Sequence, residues 1–205
     1  MQYEHLVVGI TGGIGSGKST FCEILEKNGY PVLNADALAK SIMAENEKVK
    51  NDIITAFGEI AYQDGKINAS FLGNLVFNDY EKLKLLNSIV HPVVIKEIKN
   101  KVEKLKENNR IIFVESALIY EANFDEMFDF IILIYSSIKD RIARIAQRNN
   151  LSEEEILKRI NSQIPDEEKR KYADIIIDNT DDIEFLKNRA SFILVLFKSL
   201  LLPKK

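Results

Sequence analysis

The chain has 205 residues, of which 46% are hydrophobic and 29% are charged. This composition is typical of a globular protein with one domain of ordinary size and room for an inserted subdomain. The formal net charge of −3 argues against nucleic-acid binding, which needs a positive face that neutralises phosphates. The single cysteine, Cys22, excludes an internal disulfide and favours the reducing cytoplasm. We expect it to be a small core residue without a redox role.

Neither end of the chain predicts insertion into a membrane. Residues 1–9 lack a basic segment followed by a long apolar run, so we expect no signal peptide. The apolar stretch at 192–202 is interrupted by Lys198 and is shorter than the roughly 20 residues that cross a bilayer. We expect this stretch to form a C-terminal helix packed on the core.

Apolar runs, taken in chain order, predict the strands of a parallel sheet. Continuous apolar runs are typical of strands buried on both faces, and they occupy residues 6–10, 30–33, 111–114, 130–135 and 175–177. Helical patterns lie between them, notably at residues 19–28, 79–108, 138–149 and 183–201. Strands that alternate with helices imply right-handed crossovers, so the predicted fold class is α/β with helices on both faces of the sheet.

Two long intervals interrupt this alternation. About seventy residues separate Asp36 from the strand at 111, far more than one crossover needs. The interval is rich in helix formers and predicts a helical insertion, a candidate location for a second substrate. The polar stretch at 141–171 holds most of the arginines, and Ser152 with Glu155 predicts a capping box at the start of a helix there.

The most informative motif follows the first predicted strand. Residues 12–19 read Gly-Gly-Ile-Gly-Ser-Gly-Lys-Ser and match the phosphate-loop pattern G-x-x-x-x-G-K-S, with a helical pattern directly after it. Glycines let successive backbone N–H groups turn toward a phosphate, and the following helix directs its positive end at the same anion. The predicted ATP site consists of Gly13, Ile14, Gly15, Ser16, Gly17, Lys18, Ser19 and Thr20.

Three side chains of this loop have separate expected roles. Lys18 would place its charge on the β- and γ-phosphates, Ser19 would offer its hydroxyl to Mg²⁺, and Thr20 would reach the α-phosphate. We expect Lys18 to lie at the surface, so that Lys18→Ala abolishes phosphoryl transfer without unfolding the protein. A Rossmann dinucleotide site is disfavoured, because Lys18 stands where G-x-G-x-x-G counted from Gly13 needs its last glycine.

Other classes of phosphate-loop protein lack their own motifs in this sequence. A GTPase would need Asn-Lys-x-Asp, whereas residues 100–103 read Asn-Lys-Val-Glu within a charged helical stretch. A mechanical ATPase usually has a strand ending in Asp beside a water-activating Glu, and residues 111–115 match this only loosely. Kinase chemistry is favoured, and it requires a second substrate site, positive charge at the transferred phosphoryl group and exclusion of water.

Asp36 is the candidate carboxylate beside the phosphate loop. It comes at the end of the second predicted strand, at the sheet edge where open α/β sheets bind ligands. There it could accept a hydroxyl proton or hold a Mg²⁺-bound water. An Asp after a strand also often caps the next helix, and the two roles are compatible.

Arginines supply the expected positive charge. Arg144 and Arg148 are four residues apart and share a helix face, while Arg141 lies on a nearby face. Arg159 follows on the next predicted helix. Two arginines on one face can grip phosphate oxygens with forked geometry, as a closing lid does. The alternative is a solvated helix surface.

With these residues in place, the chain resembles the dephospho-CoA kinase family along nearly its whole length. The loop at 11–20 is similar to the family's opening, and Asp36 and Ala39 follow at the family's distance. Residues 87–92 resemble its Asn-x-x-x-His-Pro segment, and residues 173–179 match its late strand. Its lid pattern is matched by Arg144, Arg148, Arg159 and Gln163.

The resemblance implies a three-layer P-loop NTPase fold with a parallel sheet. A nucleotide-binding core would comprise residues 1–36, 110–140 and 172–205, a helical CoA-binding insertion residues 37–109, and a lid residues 141–171. The implied reaction is transfer of the ATP γ-phosphoryl group to the 3′-hydroxyl of dephospho-CoA, the last step of coenzyme A biosynthesis. Mg²⁺ would be the bridging metal.

The resemblance also implies roles for single residues. Asp36 would be the catalytic base, and Lys18, Arg144 and Arg148 would stabilise charge. Substrate contacts would come from Asp36, His91, Arg159 and Gln163. The alternative for His91 is a helix-packing histidine before a proline that starts the next helix.

The sequence departs from the family pattern at several positions. Asn34 stands where the family commonly has Asp, and Ala117 replaces the proline of its Pro-Leu-Leu-x-Glu segment. Thr180 replaces the glycine after Asn179, and Glu115 adds a carboxylate near the site that has no assigned role.

Two alternative functions remain open from the sequence. The first is a kinase for another small molecule, such as a nucleoside monophosphate or shikimate, since a shared fold does not choose the substrate. The second is a nucleotide-controlled binding module, which would hydrolyse ATP slowly and use no small acceptor. We expect ATP and dephospho-CoA as partners, no nucleic acid, no membrane, and a monomer or weak homo-oligomer.

Overall fold

A computed structural model describes residues 2–148, 152–179 and 183–203, and it describes the backbone but not the side chain of Arg148. The helices and strands in chain order are β1 Leu6–Thr11, α1 Lys18–Lys27, β2 Val32–Asn34, α2 Ala35–Glu45, α3 Glu47–Phe57, β3 Tyr62–Gln63, β4 Lys66–Ile67, α4 Ala69–Val76, α5 Tyr80–Lys106, β5 Ile111–Glu115, β6 Phe130–Tyr135, α6 Ile138–Arg148, α7 Glu153–Asn161, α8 Asp166–Lys169, β7 Ile175–Asp178 and α9 Ile183–Leu200. Within these described ranges, none of the helices has the length and apolar character that a membrane span requires.

Five of the strands form one parallel sheet in the order β2-β5-β1-β6-β7. β1 lies in the middle, with all six of its residues buried. In a parallel sheet the carboxyl ends of all strands meet at one edge. The loop after β1, Glu115 at the end of β5 and Tyr135 at the end of β6 therefore come together at this edge.

All five predicted strands are present, and the second is displaced along the chain. The sequence predicts residues 30–33, whereas β2 is Val32–Asn34. Pro31 has no N–H to donate and takes part in the ladder only through its carbonyl, which accepts from Phe113 N at 3.0 Å. The strand proper therefore starts after the proline.

The main core lies between the sheet and helices α1 and α9. Buried residues of β1, β5 and β6 meet Phe21 and Leu25 of α1 and Ala190 and Phe197 of α9. The predicted C-terminal helix on the core is thus confirmed. Cys22 is 4% exposed and belongs to the same cluster, which confirms it as a core residue. Burial raises the pKa of its thiol, so the reactive thiolate is disfavoured.

The chain divides into two compact units. One contains residues 1–34 and 100–205, and the other contains residues 35–99. The second unit holds α2, α3, α4 and most of α5, and its range overlaps the predicted insertion at 37–109. It also holds a hairpin of β3 and β4, which the sequence analysis missed. Asp64 and Gly65 both have positive φ there, as a two-residue hairpin turn requires.

Helix α5 corrects one expectation about the second unit. It runs from Tyr80 to Lys106 with Pro92 inside it, so the idea that this proline starts a new helix is wrong. Asp79 caps its first turn, because its Oδ1 accepts from the backbone N–H groups of Glu81 and Lys82. A proline costs an interior helix one hydrogen bond, and this 27-residue helix continues past it.

Helices α6, α7 and α8 lie between β6 and β7 in the first unit. α7 begins with the predicted capping box, in which Ser152 and Glu155 exchange side-chain and backbone hydrogen bonds. Ile145, Ile156 and Ile160 form a small separate core, and Ile14 from the loop after β1 packs against it. An apolar side chain of the phosphate loop is therefore held by the helices of the arginine-rich segment.

Candidate active site

The glycine-rich loop connects β1 to α1, as its pattern predicts. Gly17 has φ 99°, a left-handed conformation that favours glycine. A Cβ at this position would also overlap the side-chain amide of Asn179. That amide donates from Nδ2 to Ser16 O at 2.7 Å. Asn179, which follows β7, therefore binds the phosphate loop directly.

Lys18 is the first residue of α1, and its side chain folds back over the loop. Nζ donates to Gly12 O at 2.7 Å and to Gly13 O at 3.3 Å. Only 7% of the residue is exposed, so the expectation that Lys18 lies at the surface is wrong. The loop wraps around the ammonium, and the two carbonyls replace part of its lost hydration.

Ser19 takes part in a polar network at the ends of two strands. Its Oγ donates to Glu115 Oε1 at 3.1 Å, and Asn34 Nδ2 donates to Glu115 Oε2 at 2.7 Å. The β2–β5 register places Asn34 opposite Glu115, which is 5% exposed. An amide at position 34 can donate to this buried carboxylate, whereas an ionised Asp could not. Thr20, one residue further along α1, is partly buried.

Glu115 is thereby part of the site, although the sequence analysis assigned it no role. The pattern that could have identified it is its position as the last residue of the strand next to the phosphate-loop strand. Both of its oxygens accept hydrogen bonds from residues at the loop edge of the sheet.

Arg144 reaches the loop from α6. Its Nη2 donates to Asn179 O at 2.9 Å, and its Nη1 donates to Ser136 Oγ at 3.1 Å. Nη1 also lies 3.4 Å from Ser16 O. Its positive charge therefore stands at the carbonyl side of the loop.

The remaining predicted residues of the arginine-rich segment have different environments. Gln163 lies just after α7, and its Oε1 accepts from Ile14 N at 3.1 Å. Arg159 is partly buried on α7. Arg148 closes α6, and its side chain lies outside the described part of the structure.

Arg141 and Asp166 form a buried ion pair against the loop. Arg141 Nη1 donates to Asp166 Oδ2 at 2.9 Å, and Gly13 N donates to the same oxygen at 3.2 Å. Arg141 lies three residues before Arg144, and this helical spacing could have marked it as a site residue. Asp166 has no local pattern that could have identified it, since it meets Arg141 only in the folded chain.

Asp36 and His91 belong to the unit at 35–99. α2 begins at Ala35, so Asp36 is the second residue of that helix and is exposed. The alternative that Asp36 precedes the next helix and caps it is wrong, because Asp36 lies inside α2. A carboxylate in the first turn still interacts favourably with the positive end of the helix. His91 is partly buried inside α5. The structure thus brings Lys18, Ser19, Arg144 and Gln163 together in one unit and places Asp36 and His91 in the other.

A parallel sheet with a glycine-rich loop after its central strand, a lysine and a serine opening the next helix, and arginines on a following helical segment define a P-loop kinase. A family model described as dephospho-CoA kinase matches residues 6–184. The chain belongs to the dephospho-CoA kinase family, which confirms the resemblance drawn from its motifs.

Individual relatives agree with this assignment. A dephospho-CoA kinase from Carboxydothermus hydrogenoformans is 38% identical over 194 residues, which are 94% of each chain. Among solved structures, TT1252 from Thermus thermophilus is similar with a TM-score of 0.80 and 34% identity, covering 94% of this chain and 98% of that one. A dephospho-CoA kinase from Campylobacter jejuni matches with a TM-score of 0.68 and 33% identity over the same shares.

Proposed function

We propose that this enzyme transfers the γ-phosphoryl group of ATP to the 3′-hydroxyl of dephospho-CoA, forming coenzyme A and ADP. The observation that carries the proposal is the Lys18 ammonium, held by the Gly12 and Gly13 carbonyls inside a complete phosphate loop. Family membership across residues 6–184 supplies the acceptor. In the transfer, the hydroxyl oxygen bonds to the γ-phosphorus, the bond from that phosphorus to the β-bridging oxygen breaks, and ADP keeps the electron pair.

The phosphate loop and the arginines have complementary roles in this proposal. Backbone N–H groups and the positive end of α1 bind the phosphates. Lys18 places its charge on the β- and γ-phosphates, and Arg144 adds charge from α6, with Arg148 proposed to do the same. Such fixed charges stabilise the transition state because they need no reorganisation during the reaction. Residues 141–171 are proposed to act as the lid that excludes water.

We also propose Mg²⁺ as the metal, held by Ser19 and Glu115. A hydroxyl and a carboxylate are the oxygen donors that Mg²⁺ prefers, and here they are hydrogen-bonded to each other at 3.1 Å. When bound, the ion would neutralise charge on the phosphates. The sequence predicts Ser19 alone as a metal ligand, and we propose Glu115 as a second one.

For the acceptor we propose the unit at 35–99, with Asp36 as the base that takes the hydroxyl proton and His91 as a substrate contact. Asp36 is supported by its place two residues after Asn34, whose side chain binds Glu115 at the sheet edge. Arg159 and Gln163 are proposed to contact substrate from the lid. A cytoplasmic location is proposed from family membership and from the single cysteine, which excludes an internal disulfide.

A coupled assay of ADP release tests the function. We expect turnover of ATP with dephospho-CoA and much less with nucleoside monophosphates, shikimate or no acceptor. Asp36→Asn should lower kcat by about 10²- to 10⁴-fold, the usual contribution of a general base, with the KM for ATP nearly unchanged. Asp52→Asn, an exposed change in the same unit, is the matched control.

Three results would contradict parts of this proposal. Turnover with a monophosphate alone would indicate a kinase of another substrate, and ADP release without any acceptor would indicate a nucleotide switch. Equal losses of kcat and ATP affinity in Asp36→Asn would remove Asp36 as the base.

A further inference from the structure

Residues 163–169, here named the strap, lie between α7 and β7 and include the short helix α8. Two strap side chains bind consecutive amides of the phosphate loop. Gln163 Oε1 accepts from Ile14 N at 3.1 Å, and Asp166 Oδ2 accepts from Gly13 N at 3.2 Å. The amino-terminal half of the loop is therefore held by side chains from about 150 positions later in the chain.

Arg141 completes this arrangement from α6. Its Nε donates to Ile14 O at 2.8 Å while its Nη1 donates to Asp166 Oδ2 at 2.9 Å. The guanidinium lies so close to Gly13 that a Cβ on that residue would overlap it. The Gly13 amide and the Ile14 carbonyl are thus fixed by one ion pair, whose members are 4% and 5% exposed.

The far end of the strap is anchored to the segment after β5. Lys169 is fully buried, and its Nζ donates to Ala117 O at 2.7 Å and pairs with Glu121 Oε1 at 2.8 Å. The same Glu121 oxygen accepts from Ile164 N at 2.9 Å. Because both ends are tied, the position of Asp166 relative to the loop is set by the fold and not by a free side chain.

Burying the ion pair carries a desolvation cost. Burial raises the pKa of Asp166 and lowers the pKa of Arg141, in each case against the attraction of the partner's charge. Burial disfavours the charged form of both groups, and the charge of the partner favours it. Buried pairs of this kind can often be replaced by apolar residues without loss of stability, whereas removing one partner alone is costly.

The position of Lys18 links the pair to the chemistry. Lys18 Nζ is bonded to the carbonyls of Gly12 and Gly13, and the amide of Gly13 is bonded to Asp166. A displacement of the Gly13 backbone would therefore move the ammonium that meets the β- and γ-phosphates.

We propose that Asp166 and Arg141 are positioning residues, which hold the Gly13–Ile14 backbone so that Lys18 stands at the transferred phosphoryl group. This inference rests on the proposed phosphoryl transfer and adds two residues whose role is to hold the loop backbone and not to bind the substrate. The two arginines, three positions apart on α6, then have different roles. Arg141 holds the loop backbone, and Arg144 is proposed to bind the nucleotide.

The test compares single and paired replacements. Asp166→Ala removes the acceptor and leaves Arg141 buried without its partner, Asp166→Asn keeps an acceptor for Gly13 N, and the double variant Arg141→Met, Asp166→Leu replaces the pair by apolar groups. Glu168→Ala is the matched control, because this carboxylate lies in the same strap and is 44% exposed. Each protein is measured for Tm, for kcat with dephospho-CoA, and calorimetrically for its affinities for Mg-ADP and Mg-β,γ-imido-ATP.

We expect the double variant to have a Tm below that of the wild type but above that of Asp166→Ala, because it leaves Gly13 N and Ile14 O without these partners but buries no unpaired charge. Its kcat should fall by about 10- to 100-fold, as a small misplacement of reacting groups lowers the rate. Its preference for imido-ATP over ADP should fall by about tenfold or more, since Lys18 is displaced from the γ-phosphate. Asp166→Asn should lie between the wild type and Asp166→Ala, and Glu168→Ala should match the wild type.

Normal turnover and normal nucleotide preference in the folded double variant would make the pair purely structural and overturn the proposal. If that variant does not fold, Asp166→Ala at low temperature decides by the same two readouts. If the wild type binds nucleotide but does not phosphorylate dephospho-CoA, the proposed function fails. The nucleotide preferences still decide the positioning role in that case, because they need no acceptor.

Discussion

The ammonium of Lys18 has lost most of its contact with water, and two loop carbonyls take the place of part of its hydration. Burying a cation is costly unless hydrogen bonds compensate. The neighbouring positive end of α1 opposes the lysine charge and adds to that cost. A bound polyphosphate would offset both, so the residue is suited to binding anions more than to stabilising the empty fold.

Replacing Lys18 by Met tests whether its charge contributes to anion binding and not to the stability of the empty fold. The methionine keeps an unbranched stem and removes the charge, so we expect an unchanged or higher Tm in the absence of nucleotide. Turnover should fall by about 10²-fold or more, since a fixed charge at the transferred group is lost. Thermal unfolding and the coupled assay measure the two effects. Lys27→Met, an exposed change on the same helix, controls for charge, and a large fall in Tm for Lys18→Met would refute the argument.

At the scale of elements, helix α7 depends on its capping box. Glu155 accepts from the backbone N–H and the hydroxyl of Ser152, and these bonds lower the pKa of its carboxyl group. Ser152 in turn accepts from Glu155 N. A carboxyl group whose pKa is lowered by folding stabilises the fold above its unfolded pKa. This stabilisation is lost as the pH falls through the folded value.

Ser152→Ala should therefore lower the free energy of unfolding by about 1 kcal/mol at neutral pH, the usual cost of losing an N-cap. The difference from the wild type should shrink below the ordinary Glu pKa of 4.5, because the carboxylate that Ser152 binds becomes protonated. Urea unfolding of both proteins at neutral and acidic pH measures this difference in the free energy of unfolding. Ser152→Asn keeps a capping oxygen and should retain most of the stability. A loss that does not depend on pH would show that the hydrogen bond from the Ser152 hydroxyl to Glu155 contributes nothing to stability.

Elements with a pattern of their own were predictable from the sequence. Short local patterns, each only a few residues long, mark the apolar runs of β1, β5 and β6, the glycine loop and the capping box of Ser152 and Glu155. The hairpin at 62–67 also had such a pattern, Asp64-Gly65, but its strands have only two residues each, too few for an alternating apolar run.

The features that could not be predicted depend on contacts between distant parts of the chain. The burial of Lys18 follows from how the loop folds over its own helix, and the Arg141–Asp166 pair joins residues 25 positions apart in sequence. Glu115 acquires partners from β2 and α1 only when the strands are in register. Local patterns contain no information on these pairings, because each depends on tertiary packing.

At the scale of the whole molecule, the chain divides into two compact units, and the proposed function assigns ATP and dephospho-CoA to different ones. The glycine loop, Lys18, Glu115 and the strap all lie in residues 1–34 and 100–205. Asp36 and His91 lie in residues 35–99. A ligand that binds only the folded state raises the free energy of opening of the region it contacts.

Hydrogen exchange measured with each ligand alone tests whether the nucleotide and dephospho-CoA bind to different units. Mg-β,γ-imido-ATP should slow exchange at residues 12–19, and dephospho-CoA should slow exchange within residues 35–99, since each ligand orders the backbone that binds it. At a hundred times the dissociation constant, the protection should reach about 2.7 kcal/mol. Lys18→Met should lose the nucleotide effect and keep the dephospho-CoA effect, which makes it an internal control. If dephospho-CoA protects only residues outside 35–99, this unit is not the acceptor site, and Asp36 and His91 lose their proposed roles.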